Sequence, residues 1–262
     1  MKPRALILRA PGTNCDVETA HAFVTAGATA QTLHLERVLQ SPSLIDDFEI
    51  FCVPGGFSYG DDLGAGRIFG AQMHHHLADR LHEFRRREKL VLGICNGLQV
   101  LAKSGILFDD VAPDAATNLP ATLAWNDSGK FEDRWVRLTV TRTPCVFFRG
   151  IESMYLPIAH AEGRFVPRDA QVLAELEARG QLALRYAPLA GGDALAVEYP
   201  DNPNGSIASV AGVCDATGRV CGLMPHPERY IDRTQHPRWT RGEGSAQGDG
   251  LRVFQNAVAY FG

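Results

Sequence analysis

The sequence predicts an α/β fold, with a mostly parallel sheet flanked by helices and an antiparallel extension in the second half of the chain. Four short strand-like runs in the first hundred residues alternate with turns and helical patterns, as the strands of a parallel sheet do. The runs beyond Gly105 are separated instead by Pro, Gly, Asp and Asn, which is typical of hairpins and longer connections. With 262 residues, of which 45% are hydrophobic, the chain can bury a substantial core as one large domain or two small ones.

The first half of the chain follows the order strand, loop, helix. Residues 5–8 form an apolar run, and residues 17–26 carry apolar side chains at helical spacing up to Gly27, a residue type that often follows a helix. Two further strands are predicted at residues 30–35 and at Ile50–Val53, each bounded by polar residues.

A glycine-rich segment follows the strand at Ile50–Val53. Residues 54–66 contain five glycines, which indicates an exposed loop at the carboxyl end of a strand, the edge where open parallel sheets bind ligands. The segment lacks the Gly-Lys-Ser/Thr of a P-loop, and no GxGxxG opens a helix, so nucleotide phosphate is the weaker interpretation. The loop is either a plain long turn or a source of backbone N–H groups, from Gly55 or Gly56, for a developing oxyanion.

Residues 67–88 predict a long amphipathic helix, because apolar residues recur at spacings of three to five. His74, His75 and His76 lie within it. Three consecutive side chains point in different directions around a helix, so we expect a partly exposed face here and no metal site.

The segment from residue 89 to residue 101 predicts a buried strand that ends on Cys95 and restarts as a helix. Gly93 and Gly97 flank the cysteine at the spacing of a nucleophile elbow, in which two backbones approach closely around a strained residue. A free thiol is only about 3% thiolate at pH 7, and a helix N-terminus with a nearby imidazolium would raise that fraction. Cys95 is therefore either an activated nucleophile or a small buried hydrophobic residue.

The second half of the chain predicts short extended segments. They lie at residues 131–141, 154–158, 172–176, 182–186, 195–199, 207–213 and 220–224. A hairpin-like turn at residues 214–219 joins the last two, and a closing helix is predicted at residues 251–261.

His226 lies between Pro225 and Pro227, two residues after a predicted buried strand, so its backbone has little freedom. Glu228 can reach back to the imidazole, fix its tautomer and stabilise its cation. Alone, such a pair is more often a surface contact. Combined with Cys95, it completes a nucleophile, a base and an orienting carboxylate in separate segments.

These segments resemble a known enzyme family. Residues 93–97 (GICNG) and 225–228 (PHPE) are similar to the class I, triad-type glutamine amidotransferases. More narrowly, five segments resemble the glutaminase subunits of phosphoribosylformylglycinamidine synthases, which act in purine biosynthesis. They are residues 11–16, 54–61, 157–165, 203–206 and 224–229. The match spans nearly the whole chain, which implies a single domain over residues 1–262 with the flavodoxin-like class I glutaminase fold.

The resemblance implies that Cys95 attacks the side-chain amide of L-glutamine, while His226 and Glu228 transfer and direct the proton. The N–H of Asn96 and one N–H of Gly55 or Gly56 would hold the oxyanion. Ammonia would pass to a synthetase subunit that uses ATP and Mg²⁺ to convert formylglycinamide ribonucleotide to its amidine, in a complex with a small accessory subunit. The resemblance implies no cofactor in this chain.

Two departures from the family accompany the resemblance. Ala161 replaces an expected glycine in a segment whose His160, Glu162 and Arg164 are candidates for the synthetase-facing surface, or else form an ordinary turn with a salt bridge. Residues 232–250 make a longer connection than in compact members of the family, and their composition predicts flexibility.

Composition and net charge narrow the functional classes to which the protein could belong. A net charge of −4 gives no electrostatic footprint for nucleic acid or an anionic membrane. Six cysteines without CxxC spacing, and an N-terminus without a signal peptide, predict a reduced, cytoplasmic protein. The alternatives are a DJ-1/PfpI-like cysteine hydrolase, which usually places histidine where this chain has Asn96, and a flavodoxin-like binding or scaffold subunit without catalysis.

Overall fold

A computed structural model describes residues 2–108, 118–189 and 197–262 of the chain. The strands in these ranges are β1 (Arg4–Arg9), β2 (Thr29–His34), β3 (Ile50–Val53), β4 (Leu90–Ile94), β5 (Ala121–Ala124), β6 (Glu132–Val140), β7 (Ser153–His160), β8 (Arg164–Pro167), β9 (Leu184–Ala187), β10 (Val210–Cys214) and β11 (Val220–Leu223). The α-helices are α1 (Asp16–Thr25), α2 (Leu35–Gln40), α3 (Arg67–Arg86), α4 (Asn96–Lys103), α5 (Ala170–Ala178) and α6 (Leu251–Ala259).

Nine of these strands form one sheet in the order β2-β1-β3-β4-β11-β10-β9-β6-β7. The pairs from β2 to β11 are parallel, and the pairs from β11 to β7 are antiparallel. The predicted α/β class, with a mostly parallel sheet, flanking helices and an antiparallel extension, is thereby confirmed. Strands β5 and β8, which the sequence analysis did not identify, form a separate antiparallel pair.

The centre of the sheet explains why its strands are continuous apolar runs. Every residue of β3 and β4 is buried, as expected for parallel strands that have helices on both faces. Helix α1 packs against α6, where the rings of Phe23 and Phe254 meet edge to face with centroids 4.9 Å apart. Helix α3 packs against α4.

The strand predicted at residues 172–176 is wrong, because this segment lies within helix α5. The Asp169 side chain accepts a hydrogen bond from the Val172 N–H and caps the helix. The buried residues Val172 and Leu176 are four apart, which is helical spacing, and the run is rich in Ala, Glu and Leu. A short apolar run does not by itself distinguish strand from helix.

The other predicted elements of the second half differ mainly in their bounds. Residues 207–209 form a 3₁₀ turn before β10. Of the run predicted at residues 195–199, residues 195 and 196 lie outside the described residues, and residues 197–199 are not in a strand. Helix α2 was missed. It has only six residues, too few for a helical period to show in the sequence.

The connection at residues 232–250 contacts the body of the protein at both ends. Near its start, the centroid of the His236 ring lies 5.7 Å from that of the Trp135 ring of β6, and near its end the Asp249 carboxylate accepts a hydrogen bond from the Tyr155 N–H at 2.8 Å. Between them, the Ser245 N–H donates to the Tyr230 hydroxyl oxygen at 2.9 Å. The flexibility of this connection stays a prediction.

Other expectations concern the surface and the thiols. In α3, His75 and His76 are exposed and His74 is half-buried, as predicted for that face. All six cysteines are free thiols. Within the described ranges, no helix has the length and apolarity needed to cross a bilayer.

Helix α4 approaches the sheet closely through glycine. A Cβ on Gly97 would overlap the carbonyl oxygen of Val53 in β3, and a Cβ on Gly93 would lie 2.6 Å from the carbonyl oxygen of Gly97. These neighbours are backbone atoms, which cannot move without shifting the strand or the helix. Both glycines are therefore required by the packing of α4 on the sheet.

We expect Gly97→Ala to lower the free energy of unfolding by about 1–3 kcal/mol, because the added methyl group displaces α4 from β3. Urea denaturation followed by circular dichroism measures the change. Gly262→Ala is the control, since a Cβ there meets no atom within 4 Å. Equal unfolding midpoints for Gly97→Ala and wild type would contradict the proposed tight packing.

Candidate active site

The sheet brings three of the predicted segments together at one edge. Strand β4 lies between β3 and β11 and is parallel to both. The carboxyl end of β3 leads to Gly55, that of β4 to Cys95 and that of β11 to His226. Segments far apart in the sequence thus meet where open parallel sheets bind ligands.

Cys95 has the strained backbone expected at a nucleophile elbow. Its φ of 52° and ψ of −108° are rare for a residue with a side chain. The Cys95 N–H donates to the Leu223 carbonyl of β11 at 2.7 Å, which ties the corner to the neighbouring strand. The Sγ atom contacts the Ala159 carbonyl oxygen at 3.7 Å, and Cys95 directly precedes the N-terminus of α4.

His226 and Glu228 form a buried pair. The His226 Nδ1 and the Glu228 Oε1 are 2.6 Å apart, and the side chains are 2% and 0% exposed. The backbone N–H of His226 donates to the Pro157 carbonyl of β7, which fixes the backbone at His226. Burial opposes the charged imidazolium, but the Glu228 carboxylate and then the Cys95 thiolate raise the pKa of His226 well above its ordinary value.

The imidazole and the Cys95 side chain meet beside Gly55. The point where a Cβ on Gly55 would lie is 2.9 Å from His226 Cε1 and 3.5 Å from Cys95 Cβ. A side chain at residue 55 would therefore occupy the space between the two groups. The structure thus places Cys95, His226 and Glu228 at one site, and Nε2 of His226 has no hydrogen-bond partner among the described residues.

A second thiol at this site was missed by the sequence analysis. Cys15 Sγ lies 4.0 Å from His226 Nδ1, and the Arg229 guanidinium donates to it at 3.2 Å. Burial raises the pKa of Cys15 above its ordinary value, although the hydrogen bond with His226 opposes the shift. Cys15 also lies off the elbow, at the start of α1. Its place depends on the antiparallel bridge between Thr13 and Gly56, which no local pattern predicts.

Cys15, His226 and Glu228 also offer three metal-ligating atoms within 4.8 Å of one another. Nδ1 of His226 is already hydrogen-bonded to Glu228, however, so a proton lies between these two atoms. The structure supplies no separate observation that favours a metal there.

The glycine-rich loop is attached to the elbow by the side chain of Asn96. Its Oδ1 accepts from the Ser58 N–H at 3.2 Å, and its Nδ2 donates to Asp61 Oδ1 at 3.2 Å and to Gln99 Oε1 at 2.9 Å. The Asn96 N–H belongs to the first turn of α4, where amides lack helical acceptors. Asn96 and Gly55 thus both border Cys95, and the oxyanion role of Asn96, Gly55 and Gly56 stays a prediction.

A cavity of about 230 Å³ opens at Cys95. Its lining includes Gly56, Asp61, Gln99, His160 and Glu162. Pockets for drug-sized ligands are typically about 300–1,000 Å³, so this cavity suits a smaller ligand with polar groups.

Of the three candidates for the synthetase-facing surface, His160 is buried, and Glu162 and Arg164 each form an ion pair, as in the alternative of an ordinary turn. His160 is only 3% exposed, so the expectation that it faces a partner is wrong. The Ala65 N–H is shared between the two carboxylate oxygens of Glu162, which also lies 3.7 Å from the Lys103 ammonium. Arg164 pairs with Asp127. Strand β7 alternates its side chains between two faces, and His160 takes the inner one.

The chain is similar to known proteins over its whole length. Residues 2–261 match the family of CobB/CobQ-like glutamine amidotransferase domains. The chain is 41% identical to the phosphoribosylformylglycinamidine synthase subunit PurQ of Dehalococcoides mccartyi, over 99% of this chain and 98% of that protein. It is 40% identical to the subunit of the same name from Methanococcus maripaludis, over 99% and 97%. The solved structure of PurLQS from Thermotoga maritima superimposes with a TM-score of 0.74 at 32% identity and 100% coverage of both chains.

We expect Glu228→Gln to lower the pKa of His226. The carboxylate raises that pKa and burial lowers it. When the negative charge is removed, the lowering by burial is no longer opposed by the carboxylate. The imidazolium of the variant then loses its proton at a lower pH than that of wild type. An NMR titration of protein labelled with ¹³C at histidine Cε1 measures both midpoints. Glu18→Gln is the control, because it removes a carboxylate that pairs with Arg229 and not with His226. It should leave the midpoint of His226 unchanged. An unchanged midpoint in Glu228→Gln would refute this account of the pair.

Proposed function

Since the chain belongs to the CobB/CobQ-like glutamine amidotransferase family, we propose that Cys95, His226 and Glu228 hydrolyse L-glutamine to glutamate and ammonia. The chain acts as the glutaminase subunit of a phosphoribosylformylglycinamidine synthase in purine biosynthesis. The meeting of the Cys95 and His226 side chains beside Gly55 is the observation that carries the assignment of these residues.

The reaction begins with attack of the Cys95 thiolate on the amide carbon of glutamine. The tetrahedral intermediate collapses as the His226 imidazolium gives its proton to the departing nitrogen. The C–N bond breaks, ammonia leaves, and the γ-glutamyl group stays on Cys95 as a thioester. Neutral His226 then takes a proton from water, whose oxygen attacks the thioester. The thiolate leaves, and glutamate is released. Glu228 keeps the imidazole in one orientation and stabilises its cation throughout.

Backbone amides stabilise the two tetrahedral intermediates. The Asn96 N–H at the start of α4 and an N–H of Gly55 or Gly56 would donate to the oxyanion. Loss of one such donor typically costs about 3 kcal/mol of transition-state stabilisation. The side-chain hydrogen bonds of Asn96 support this role, because they hold the glycine-rich loop against the elbow.

Ammonia from this site serves a second subunit. A synthetase subunit, which binds ATP and Mg²⁺, consumes the ammonia to convert formylglycinamide ribonucleotide to its amidine, and a small accessory subunit joins the complex. The full-length similarity to a chain of PurLQS supports an assembly of this kind. In this proposal, the present chain binds neither nucleotide nor metal.

The mouth of the cavity has an apolar surface suited to that subunit. Phe57, Leu63, Trp125 and Phe131, here called the mouth cluster, are 44–66% exposed. Phe57 and Trp125 line the cavity of Cys95, and the Phe57 ring stacks on that of Phe131 with centroids 6.2 Å apart. Exposed aromatic groups of this kind are frequent anchors of protein interfaces. Because two of these residues line the cavity that contains Cys95, we assign the mouth cluster to the synthetase subunit.

We expect Cys95→Ala to lower glutamine-dependent amidine synthesis by the assembled complex at least about a thousandfold, since the nucleophile is lost. Synthesis from added ammonium should persist, because the synthetase site is unaffected. Cys52→Ala, at a buried cysteine of β3, is the matched control and should retain both activities. Failure of ammonium to support synthesis in an intact Cys95→Ala complex would contradict ammonia transfer.

A diazo-ketone analogue of glutamine provides a second test. It should alkylate Cys95 and leave Cys15 unmodified, which peptide mass spectrometry detects. Alkylation of Cys15 in preference to Cys95 would overturn the assignment of the nucleophile.

We expect Trp125→Ala and Phe131→Ala each to weaken binding of the synthetase subunit at least about tenfold, which corresponds to about 1.4 kcal/mol. Isothermal titration calorimetry measures the affinity. Val17→Ala, at an apolar residue of α1 that is 74% exposed, is the control and should leave the affinity unchanged. Equal affinities for all three variants would place the interface elsewhere.

A further inference from the structure

His160, at the end of β7, is a buried imidazole that the mechanism above does not use. It borders the cavity that contains Cys95. The residue before it, Ala159, places its carbonyl oxygen 3.7 Å from Cys95 Sγ. A Cβ on Gly163 would overlap the His160 ring, so only glycine leaves room for the imidazole in this position.

The hydrogen bonds of Asn126 determine the tautomer of His160. Asn126 Nδ2 donates to the carbonyl oxygens of Lys130 and His160 at 2.9 and 2.8 Å. Its Oδ1 is therefore the acceptor, and the Gly163 N–H donates to it at 3.0 Å. Nδ1 of His160 lies 3.1 Å from the same Oδ1, so Nδ1 must carry the proton of this contact.

The second ring nitrogen is left as an acceptor. Burial, with a smaller contribution from the charge of His226, lowers the pKa of His160 to about 3, so the ring is neutral at physiological pH. With the proton on Nδ1, Nε2 has a free lone pair. This atom is buried and has no hydrogen-bond partner in the described parts of the chain. Such an atom requires a donor from a ligand or from solvent.

We propose that Nε2 of His160 accepts a hydrogen bond from the side-chain amide N–H of glutamine bound at Cys95. The inference rests on the function proposed above. Two carboxylates, Asp61 and Glu162, border the same cavity and are better partners for the charged α-ammonium group. The neutral acceptor beside the reacting cysteine matches the neutral amide instead.

This hydrogen bond would have two effects on the reaction. It fixes the rotation of the amide, so that the departing nitrogen presents its lone pair to the His226 proton. It also discriminates against glutamate, whose carboxylate offers only lone pairs to Nε2. His160 is therefore a specificity-determining residue that distinguishes the substrate from the product.

Two substitutions separate this role from a structural one. In His160→Asn, the side-chain amide can keep the donor at the place of Nδ1, toward Asn126, but it loses the acceptor at the place of Nε2. In His160→Gln, the longer side chain can place its oxygen near Nε2 but loses the contact with Asn126. We expect kcat/KM for glutamine to fall about ten- to a hundredfold in His160→Asn and to be largely restored in His160→Gln. The opposite order would show a structural role and overturn the proposal.

A substrate without amide hydrogens isolates the contact. L-glutamate γ-methyl ester reacts at the same carbon, so the ratio of wild-type to His160→Asn kcat/KM should shrink to within about twofold for the ester. An equal loss on glutamine and on the ester would mean that Nε2 binds another group, and would refute the proposal.

The assays use the assembled complex, with thermal unfolding of each variant as the check of folding. If wild type hydrolyses glutamine and His160→Asn matches it, this inference alone fails. If wild type does not hydrolyse glutamine, the proposed function fails independently of His160.

Discussion

The close packing of helix α4 on strand β3 is the constraint on which the site depends. Gly97 brings the helix backbone onto the Val53 carbonyl, and Gly93 leaves room for the same approach from β4. The strand and the helix can then be joined through one strained residue, Cys95. Since β3 and β11 flank β4, the loops that follow these strands bring Gly55 and His226 to the thiol. The Cys95 side chain is thus positioned by strands and a helix, which hold a geometry better than a flexible loop would.

The sequence predicted the parallel part of the sheet and the three residues that meet at the candidate site, because their signals are local. An apolar run, two glycines at fixed spacing and a histidine between prolines each have a direct conformational meaning. The resemblance to a known family then joined the segments. The antiparallel half was harder to predict. Its short runs lack a clear period, so residues 172–176 were assigned to a strand although Asp169 caps a helix there.

The missed and misplaced residues share a different cause. Cys15 reaches His226 only because the loop after β1 forms a bridge to Gly56 across the top of β3. His160 was expected on a surface, but the pairing of β7 with β6 turns its ring inward, toward Asn126. Both placements depend on contacts between segments distant in the sequence, which a single chain read alone does not specify.

The two buried histidines give the folded state opposite responses to acidity. His226 has a pKa above that of the unfolded chain, so its stabilising effect is complete below about pH 6.5 and disappears as the pH rises through the folded value. His160 has a pKa of about 3, so the unfolded chain takes up the proton first, and stability falls as the pH decreases from about 6.5 toward 3. Burial of these two rings therefore disfavours the folded state on the acid side through His160, and the contribution of His226 is lost on the alkaline side. The two side chains to which roles in the proposed reaction were given thus also make the stability of the folded state depend on pH.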